Sequence, residues 1–263
     1  MEINSNLKGK WAIILGASGE VGRATATKLA LAGINLCLVY RERRSAINEL
    51  EKHHSELKQT GVKLLTYNSD ALNESVRNSI VEELKTNGPV QVVALVHAIA
   101  KGTLKNLTGE NRASLEDYQI TQHAMAYSLV DWVNAGLDHD LFVENASVIA
   151  IDSAGSQRYI PQYGIVGATK ASLIKLTQDL AIELVPKRIR CNVIRAGVMD
   201  SKALNAIPAS DLIKNQALKS NPNGRLTLGE DVANAIYLLS LSESSWITGS
   251  IINVDGGEGY VGS

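Results

Sequence analysis

Two side chains capable of proton transfer, Tyr163 and Lys170, lie seven positions apart in the second half of the chain. Each residue of an α-helix advances by about 100°, so seven residues bring a side chain back to within about 20° of its starting face. The spacing therefore predicts a phenol and an ammonium on one face of a helix over residues 162–184. Such a pair beside a bound cofactor predicts a proton donor with a depressed pKa. The alternative is an ordinary amphipathic helix.

A glycine-rich turn near the start of the chain favours the chemical interpretation. It lies between an apolar run at residues 11–15, which predicts a buried strand, and an Ala/Leu-rich segment at 23–30, which predicts a helix. Glycines at such a junction allow a tight turn and let the backbone approach a pyrophosphate at the positive end of the helix dipole. The turn therefore predicts a dinucleotide site, with candidate contacts at Gly16, Ser18, Gly19, Val21 and Gly22.

The residues after the next apolar run, 35–39, concern the choice of dinucleotide. Tyr40 follows the run, and Arg41, Arg43 and Arg44 come directly after it. NAD-selective sites usually place a carboxylate at this strand end to bind the ribose 2′-hydroxyl, whereas guanidinium groups suit a 2′-phosphate. The pattern favours NADPH over NADH, with Arg41 as the candidate contact. Two alternatives stay open: a solvated helix start, or a carboxylate role for Glu42 if the register slips by two residues.

Length, charge and cysteine content limit the class of protein. The chain has 263 residues and a formal net charge of −1, which predict one full-sized domain and no nucleic-acid or anionic-membrane partner. No apolar stretch approaches the roughly 18 residues of a membrane span, and residues 1–10 lack the apolar region of a signal peptide. Cys37 and Cys191 lie in apolar runs without metal-ligand spacing. We therefore expect core thiols, a cytoplasmic location and no bound metal.

Apolar runs alternate with helical patterns along the chain, as a parallel sheet requires. Residues 1–263 are therefore expected to form a single-domain α/β Rossmann fold, a doubly wound parallel sheet of about seven strands flanked by helices. The pattern also predicts a long helix over residues 115–137. The predicted strands cover residues 11–15, 35–39, 62–67, 90–96, 147–151, 189–194 and 250–254.

Together these motifs resemble the short-chain dehydrogenase/reductase superfamily over essentially the whole chain. Tyr163-x6-Lys170, in place of the superfamily's commoner Tyr-x3-Lys, is similar to the spacing in bacterial enoyl-acyl-carrier-protein reductases. Leu95-Val-His-Ala-Ile-Ala100 resembles the Val-His-Ser-Ile-Gly stretch of those enzymes. Asp70 after the third strand, the segment 190–197 and the segment 247–257, which ends in Asp-Gly-Gly, also match the superfamily.

The resemblance implies an NADPH-dependent reductase of an activated C=C bond, most simply in a 2-enoyl thioester on a carrier protein or coenzyme A. Tyr163 would hydrogen-bond the thioester oxygen on which negative charge develops, and Lys170 would bind the nicotinamide ribose. Residues 198–225 would contain a substrate lid. The further cofactor contacts that the resemblance implies are Asp70, at the adenine amine, and Ala71, His97, Ala98, Ile99, Gly197 and Val198.

The resemblance also implies a homotetramer that assembles through the two long helices. The apolar residues Ala124, Leu129, Leu173 and Leu180 are compatible with such an interface, although helical periodicity fits packing within one chain equally well.

Several positions depart from the family pattern and leave alternatives open. Ser153 stands where enoyl reductases have a second tyrosine and where the commoner branch keeps a catalytic serine, so a carbonyl reductase using Ser153, Tyr163 and Lys170 is the second hypothesis. Leu15 removes a hydroxyl that usually ties the glycine turn, and Glu20 would repel a phosphate unless it faces solvent. These changes make a non-catalytic dinucleotide-binding protein the third hypothesis.

Two polar residues have more than one interpretation. His97 is either a cofactor contact or a core histidine at the end of a strand. Gln122 falls where many relatives have a catalytic asparagine, but a helix face that also carries Gln119 and His123 is equally typical of solvated surface.

Overall fold

The computed structural model describes residues 6–261 of the chain. All seven predicted strands are present and pair in parallel, so the predicted fold class is confirmed. Their order is β3-β2-β1-β4-β5-β6-β7, and it changes direction beside β1, where a crevice opens at the carboxyl ends of the strands. The strands are β1 (Trp11–Leu15), β2 (Asn35–Tyr40), β3 (Leu64–Asn68), β4 (Val92–His97), β5 (Phe142–Ser153), β6 (Arg190–Ala196) and β7 (Ile251–Val254).

Helices cover both faces of this sheet. α3, α5 and α6 pack on one face, against side chains such as Ile13 and Leu95, and α1, α2 and α9 pack on the other, against Ile14 and Leu36. Alternation along each strand places neighbouring residues on opposite faces, and because helices cover both faces, the central strand β1 is apolar throughout. The helices are α1 (Glu20–Leu31), α2 (Arg44–Gln59), α3 (Glu74–Lys85), α4 (Leu115–Gln122), α5 (Ser128–Asp138), α6 (Gly164–Glu183), α7 (Lys202–Asn205), α8 (Ser210–Ser220) and α9 (Gly229–Ser240).

The long helix predicted over 115–137 is interrupted by a π-helical turn. α4 passes through this turn, His123–Tyr127, into α5. The four apolar residues considered for a subunit interface are buried within the chain itself, which is the alternative that the sequence had left open; they are Ala124, Leu129, Leu173 and Leu180. Leu129, Leu173 and Leu180 pack between the helices and the sheet, and Ala124 packs with Met125 and Val166.

Both cysteines lie in the core, as predicted. Cys37 on β2 and Cys191 on β6 are fully buried, and burial raises the pKa of each thiol to about 12. Between residues 6 and 261 no helix has the length and apolar character to cross a membrane.

Candidate active site

The three glycines of the turn between β1 and α1 meet three different requirements. At Gly16 φ is +79°, and a Cβ would lie 2.5 Å from the carbonyl oxygen of Ala98, so only glycine fits. At Gly22 a Cβ would lie 2.4 Å from the Gly16 carbonyl oxygen, so glycine lets α1 pack closely against the turn. At Gly19 a Cβ would meet only that same oxygen, at 3.5 Å, which is an ordinary contact. The fold itself therefore does not require glycine at position 19.

Backbone hydrogen bonds hold this turn in place of the hydroxyl that Leu15 lacks. The N–H groups of Gly16 and Ala17 both donate to the carbonyl of Val39, at 2.9 and 3.1 Å, and the Ala98 N–H donates to the Leu15 carbonyl at 2.9 Å. The turn is therefore fixed to both neighbouring strands. Ser18 lies within it and is partly exposed.

The charge of Glu20 is offset by a neighbouring cation. Its Oε1 lies 3.2 Å from the guanidinium of Arg23, which also pairs with Glu49 on α2. The repulsion that we expected between Glu20 and a phosphate is reduced accordingly.

Tyr163 lies one residue before α6, whereas the sequence had predicted it to lie within the helix. Its carbonyl accepts the Gly167 N–H at 2.8 Å. Burial raises the pKa of the phenol above its ordinary value, the hydrogen bond with Ser153 opposes this in part, and the charge of Asp152 raises the pKa as well. The expected depressed pKa is therefore wrong, because desolvation and a nearby carboxylate both favour the neutral form. At neutral pH Tyr163 is a phenol that can donate a hydrogen bond.

Lys170 lies two turns into α6 and is 5% exposed. Its Nζ donates to the Ile151 carbonyl near the end of β5, at 2.5 Å. Burial lowers the pKa of the ammonium to about 8, and the charge of Asp152 opposes this effect. Lys170 and Tyr163 line the same cavity, so the structure brings together the two residues that the spacing had paired.

Ser153, the last residue of β5, faces this cavity as well. Its Oγ lies 3.5 Å from the Tyr163 Oη, which is longer than the roughly 2.7 Å of an ordinary hydroxyl–hydroxyl bond. The two hydroxyls are near enough to contact one small group between them.

The cavity has a volume of about 300 Å³ and extends from the glycine turn to the segment predicted to form a lid. Several predicted cofactor contacts lie on its wall: Gly19, Val21, Gly22, Ala98, Ile99, Gly197 and Val198. Much of the cavity wall consists of apolar side chains. These are Leu104, Met125, Ile160 and Val166, and Met199, Leu204, Ile207 and Ile213 from the predicted lid.

Comparison with known proteins identifies the family. The family model described as "Enoyl-(Acyl carrier protein) reductase" matches residues 16–258. The chain belongs to this family. Family membership confirms the resemblance and makes the protein an NAD(P)H-dependent short-chain oxidoreductase.

The relatives of this protein include both enoyl reductases and 3-oxoacyl reductases. The enoyl-[acyl-carrier-protein] reductase [NADPH] FabI of Staphylococcus aureus is 30% identical over 256 residues, covering 96% of this chain and 97% of the relative. The 3-oxoacyl-[acyl-carrier-protein] reductase FabG of Staphylococcus epidermidis is 28% identical, covering 94% and 98%. The crystal structure of the enoyl-[acyl-carrier-protein] reductase (NADH) of Aquifex aeolicus is similar with a TM-score of 0.83 at 25% identity, covering 98% and 99%.

The site fits the nicotinamide dinucleotide that this family uses. Gly16 permits the tight turn, Gly19 leaves room for close approach and Gly22 permits helix packing, which are the three roles of glycines in a dinucleotide-binding turn. α1 begins without a side-chain cap, so its first N–H groups are available to a pyrophosphate. The buried ammonium of Lys170 lies on the same cavity wall.

Arg41 and Asp70 form a second cluster at the ends of β2 and β3. Arg41 donates to Asp70 Oδ2 at 2.7 Å, and its side chain is 64% exposed. The predicted 2′-phosphate and adenine contacts are thus neighbours. Ala71 is buried beside them, and its carbonyl accepts the indole N–H of Trp132 at 2.9 Å, so it contacts the core.

His97 and Gln122 lie away from the cavity wall. His97 is fully buried, its Nε2 lies 2.8 Å from Ser128 Oγ, and burial lowers its pKa to about 3. The structure therefore places it as a neutral core histidine, the alternative that the sequence had left open. Gln122 is partly buried at the end of α4, and its Oε1 has no hydrogen-bond partner within residues 6–261.

Three charged residues of the site were not predicted from the sequence. Asp152 lines the cavity and pairs with Arg195 on the adjacent strand. Glu258, which is 3% exposed, accepts the Val198 N–H at 3.1 Å and so holds the start of the predicted lid to the C-terminal segment. The signal was available for Asp152 and Arg195, because a charged residue at the end of an otherwise apolar strand is typical of the functional edge of a parallel sheet.

Proposed function

We propose that this protein reduces the C=C bond of a 2-enoyl thioester with NADPH. The observation that carries the proposal is that one cavity is lined by the glycine turn, Lys170, Tyr163 and a set of apolar side chains, and that Tyr163 belongs to the cluster of Met125 and Val166. An acyl chain suits these apolar side chains. The names of the relatives, which include an NADPH-dependent enoyl reductase, support the same reaction.

The residues of the site have distinct roles in this reaction. The bound dinucleotide would supply the hydride that adds to the β-carbon of the substrate. Tyr163, as a neutral phenol, donates a hydrogen bond to the thioester oxygen on which negative charge develops. The Ile151 carbonyl fixes the position of the Lys170 ammonium. In this position Lys170 binds the ribose hydroxyls and holds the ribose beside Tyr163.

The arginines after β2 support NADPH as the electron donor. Arg41 is exposed at the strand end, and Arg43 and Arg44 are exposed beside it. Glu42 lies 3.6 Å from Lys202 of α7, and this ion pair engages the carboxylate that was the alternative ribose contact. Arg41 binds a 2′-phosphate in this proposal by exchanging its bond to Asp70.

The test is NADPH oxidation, followed at 340 nm, with crotonyl and acetoacetyl thioesters compared on the same purified protein. The proposal predicts turnover of the crotonyl substrate and a saturated butyryl product by mass spectrometry. Turnover of the acetoacetyl substrate alone would contradict it. Tight NADPH binding without turnover of either substrate would favour a dinucleotide-binding protein without this chemistry.

One observation favours a carbonyl reductase as the second candidate. Ser153 Oγ and Tyr163 Oη, 3.5 Å apart on the cavity wall, can both donate to one carbonyl oxygen. Keto reduction needs the hydroxyls of both Ser153 and Tyr163, whereas enoyl reduction needs only the Tyr163 hydroxyl of these two. Ser153→Ala therefore separates the two: it abolishes keto reduction and leaves enoyl turnover within about threefold.

We also propose a homotetramer, through surfaces other than the buried residues described above. Leu115, Ile120, Tyr127 and Ile182, on the two long helices, are apolar and between 46% and 73% exposed. Light scattering should give four times the 28.3 kDa of one chain. A monomer mass would reject the assembly.

A further inference from the structure

A buried ion pair lies beside the catalytic residues. Asp152 is 1% exposed, precedes Ser153 on β5 and lies opposite Arg195 on β6. Arg195 Nε donates to Asp152 Oδ2 at 2.7 Å, and Ser156 Oγ donates to the same oxygen at 3.0 Å. Burying two charges commonly costs as much free energy as their attraction returns. Fold stability alone therefore does not account for this pair.

The remaining oxygen of the carboxylate indicates what the pair does. Asp152 Oδ1 is buried and has no hydrogen-bond partner in the part of the chain that the structure describes. Its charge acts on both catalytic groups, favouring the protonated form of Lys170 and the protonated form of Tyr163. These are the ammonium and the phenol that the proposed reaction requires.

We propose that Asp152, held in place by Arg195, is a positioning residue that keeps Lys170 as an ammonium and Tyr163 as a neutral phenol inside the buried site. The inference rests on the proposed function, because the two protonation states matter only if this pair assists the reduction. Arg195 has a complementary role, since its guanidinium fixes the Asp152 carboxylate and offsets part of the charge that this carboxylate presents to Lys170.

The expected sign follows from the groups that face Lys170. They are Asp152 from β5, His97 from β4 and Tyr163 at the start of α6, and Arg195 from β6 acts through Asp152. Burial lowers the pKa of Lys170, and the charge of Asp152 opposes that shift. Removing the carboxylate charge should therefore lower the pKa of Lys170, and removing the Arg195 charge should raise it.

The experiment is a pH titration of Lys170 in the full chain by ¹³C NMR of lysine Cε, with the signal assigned through Lys170→Met. The wild-type midpoint is expected near 8. Asp152→Asn, which preserves shape and can still accept both hydrogen bonds, should lower the midpoint by about one pH unit. Arg195→Met should raise it. The matched control is Asp179→Asn, which removes an exposed carboxylate from the same helix and should leave the midpoint unchanged.

A role confined to folding would not produce shifts of opposite sign in the two variants. The inference is overturned if Asp152→Asn moves the midpoint by less than about 0.3 unit, or if both variants move it in the same direction. Should Asp152→Asn fail to fold by circular dichroism, the double variant with Arg195→Met removes both charges together. The double variant differs from Arg195→Met only by the loss of the carboxylate charge, so its midpoint is expected below that of Arg195→Met. A midpoint equal to or above that of Arg195→Met overturns the inference.

Activity supplies a separate readout. On crotonyl thioester, the loss of turnover at alkaline pH should begin at lower pH in Asp152→Asn than in wild type. If wild type turns over neither thioester, the proposed function fails, while the NMR titration still decides the role of Asp152.

Discussion

The proposed catalytic end of the site, at Lys170 and Asp152, and its proposed adenosine end, at Arg41 and Asp70, differ in how far their charges are exposed to solvent. At the first end Lys170 and Asp152 are at most 5% exposed; the Ile151 carbonyl holds Lys170, and Arg195, with a side chain that is 12% exposed, holds Asp152. At the adenosine end the Arg41 side chain is 64% exposed, and its bond to Asp70 faces solvent. Buried charges interact strongly and reorganise little, whereas exposed charges are screened and exchange partners readily. The first end is suited to chemistry and the second to recognition of a cofactor.

Lys170→Met should have the largest effect. Turnover is expected to fall by about 10²- to 10³-fold, because the variant loses a fixed cation at the reacting end. Lys175→Met, which removes an exposed lysine from the same helix, is the control and should stay within about threefold. Similar losses of turnover in both variants would contradict the expectation that the buried lysine contributes more to turnover than the exposed one.

The same variant has a signature in stability. The folded-state pKa of Lys170, about 8, is below its ordinary value of 10.5, so the unfolded chain binds more protons between these values. Wild-type stability should therefore rise with pH between about 8 and 10.5, by about 3 kcal/mol in total from this group. Urea unfolding at pH 7.5 and 10 should show a smaller rise in Lys170→Met. An equal rise in both proteins would contradict the buried ammonium.

His97 should make the buried region sensitive to acid. Its folded-state pKa, about 3, is below the ordinary 6.5, so the unfolded chain takes up a proton first as pH falls. Between pH 6.5 and pH 5 this group should cost about 2 kcal/mol of stability. His97→Asn should lose less stability than wild type over that range, as measured by urea unfolding. A steeper loss in the variant would show that His97 is not held neutral.

Arg41→Gln tests the exposed end and should have a smaller effect. The preference for NADPH over NADH is expected to fall by about tenfold, because one charge-assisted bond to the 2′-phosphate is lost. The effect should shrink as salt is raised, since the site is exposed. Arg188→Gln, which breaks an exposed ion pair with Glu144, is the control. An unchanged preference for NADPH over NADH would show that Arg41 does not bind the 2′-phosphate.

Glu42→Gln should have the smallest effect. The pair with Lys202, whose side chain is 67% exposed, is expected to contribute less than about 1 kcal/mol to stability. Thermal unfolding and the KM for NADPH should both be nearly unchanged. A large rise in the KM for NADH would instead show that Glu42 binds the ribose hydroxyls.

The elements of the fold were predictable because their signals are local. β1 was placed at its observed bounds, Trp11–Leu15. Local signals were weaker at β5, which begins at Phe142 rather than at residue 147. Polar Glu144 and Asn145 interrupt its apolar pattern, and Asn145 has a φ of +64°. The π-helical turn, His123–Tyr127, was also missed, because it keeps the apolar spacing of the surrounding helices.

The site was predictable where its residues are close in sequence. Tyr163 and Lys170 are one such pair, and the three glycines are another group. Asp152 and Arg195 are 43 positions apart and meet only through the register of β5 with β6. The pKa of Tyr163 was predicted with the wrong sign for a related reason, since burial and Asp152 outweigh anything that its sequence neighbours indicate.

Tyr163→Phe tests the proposed catalytic role of Tyr163 most directly. It is assayed with NADPH and crotonyl thioester, and the dissociation constant of NADPH is measured alongside. The phenol oxygen donates to the developing charge, so kcat is expected to fall by about 10²-fold or more. NADPH affinity should stay the same within about twofold, because Lys170 and the glycine turn hold the cofactor. A kcat close to that of wild type would contradict the central claim that Tyr163 is the proton-bearing catalytic residue.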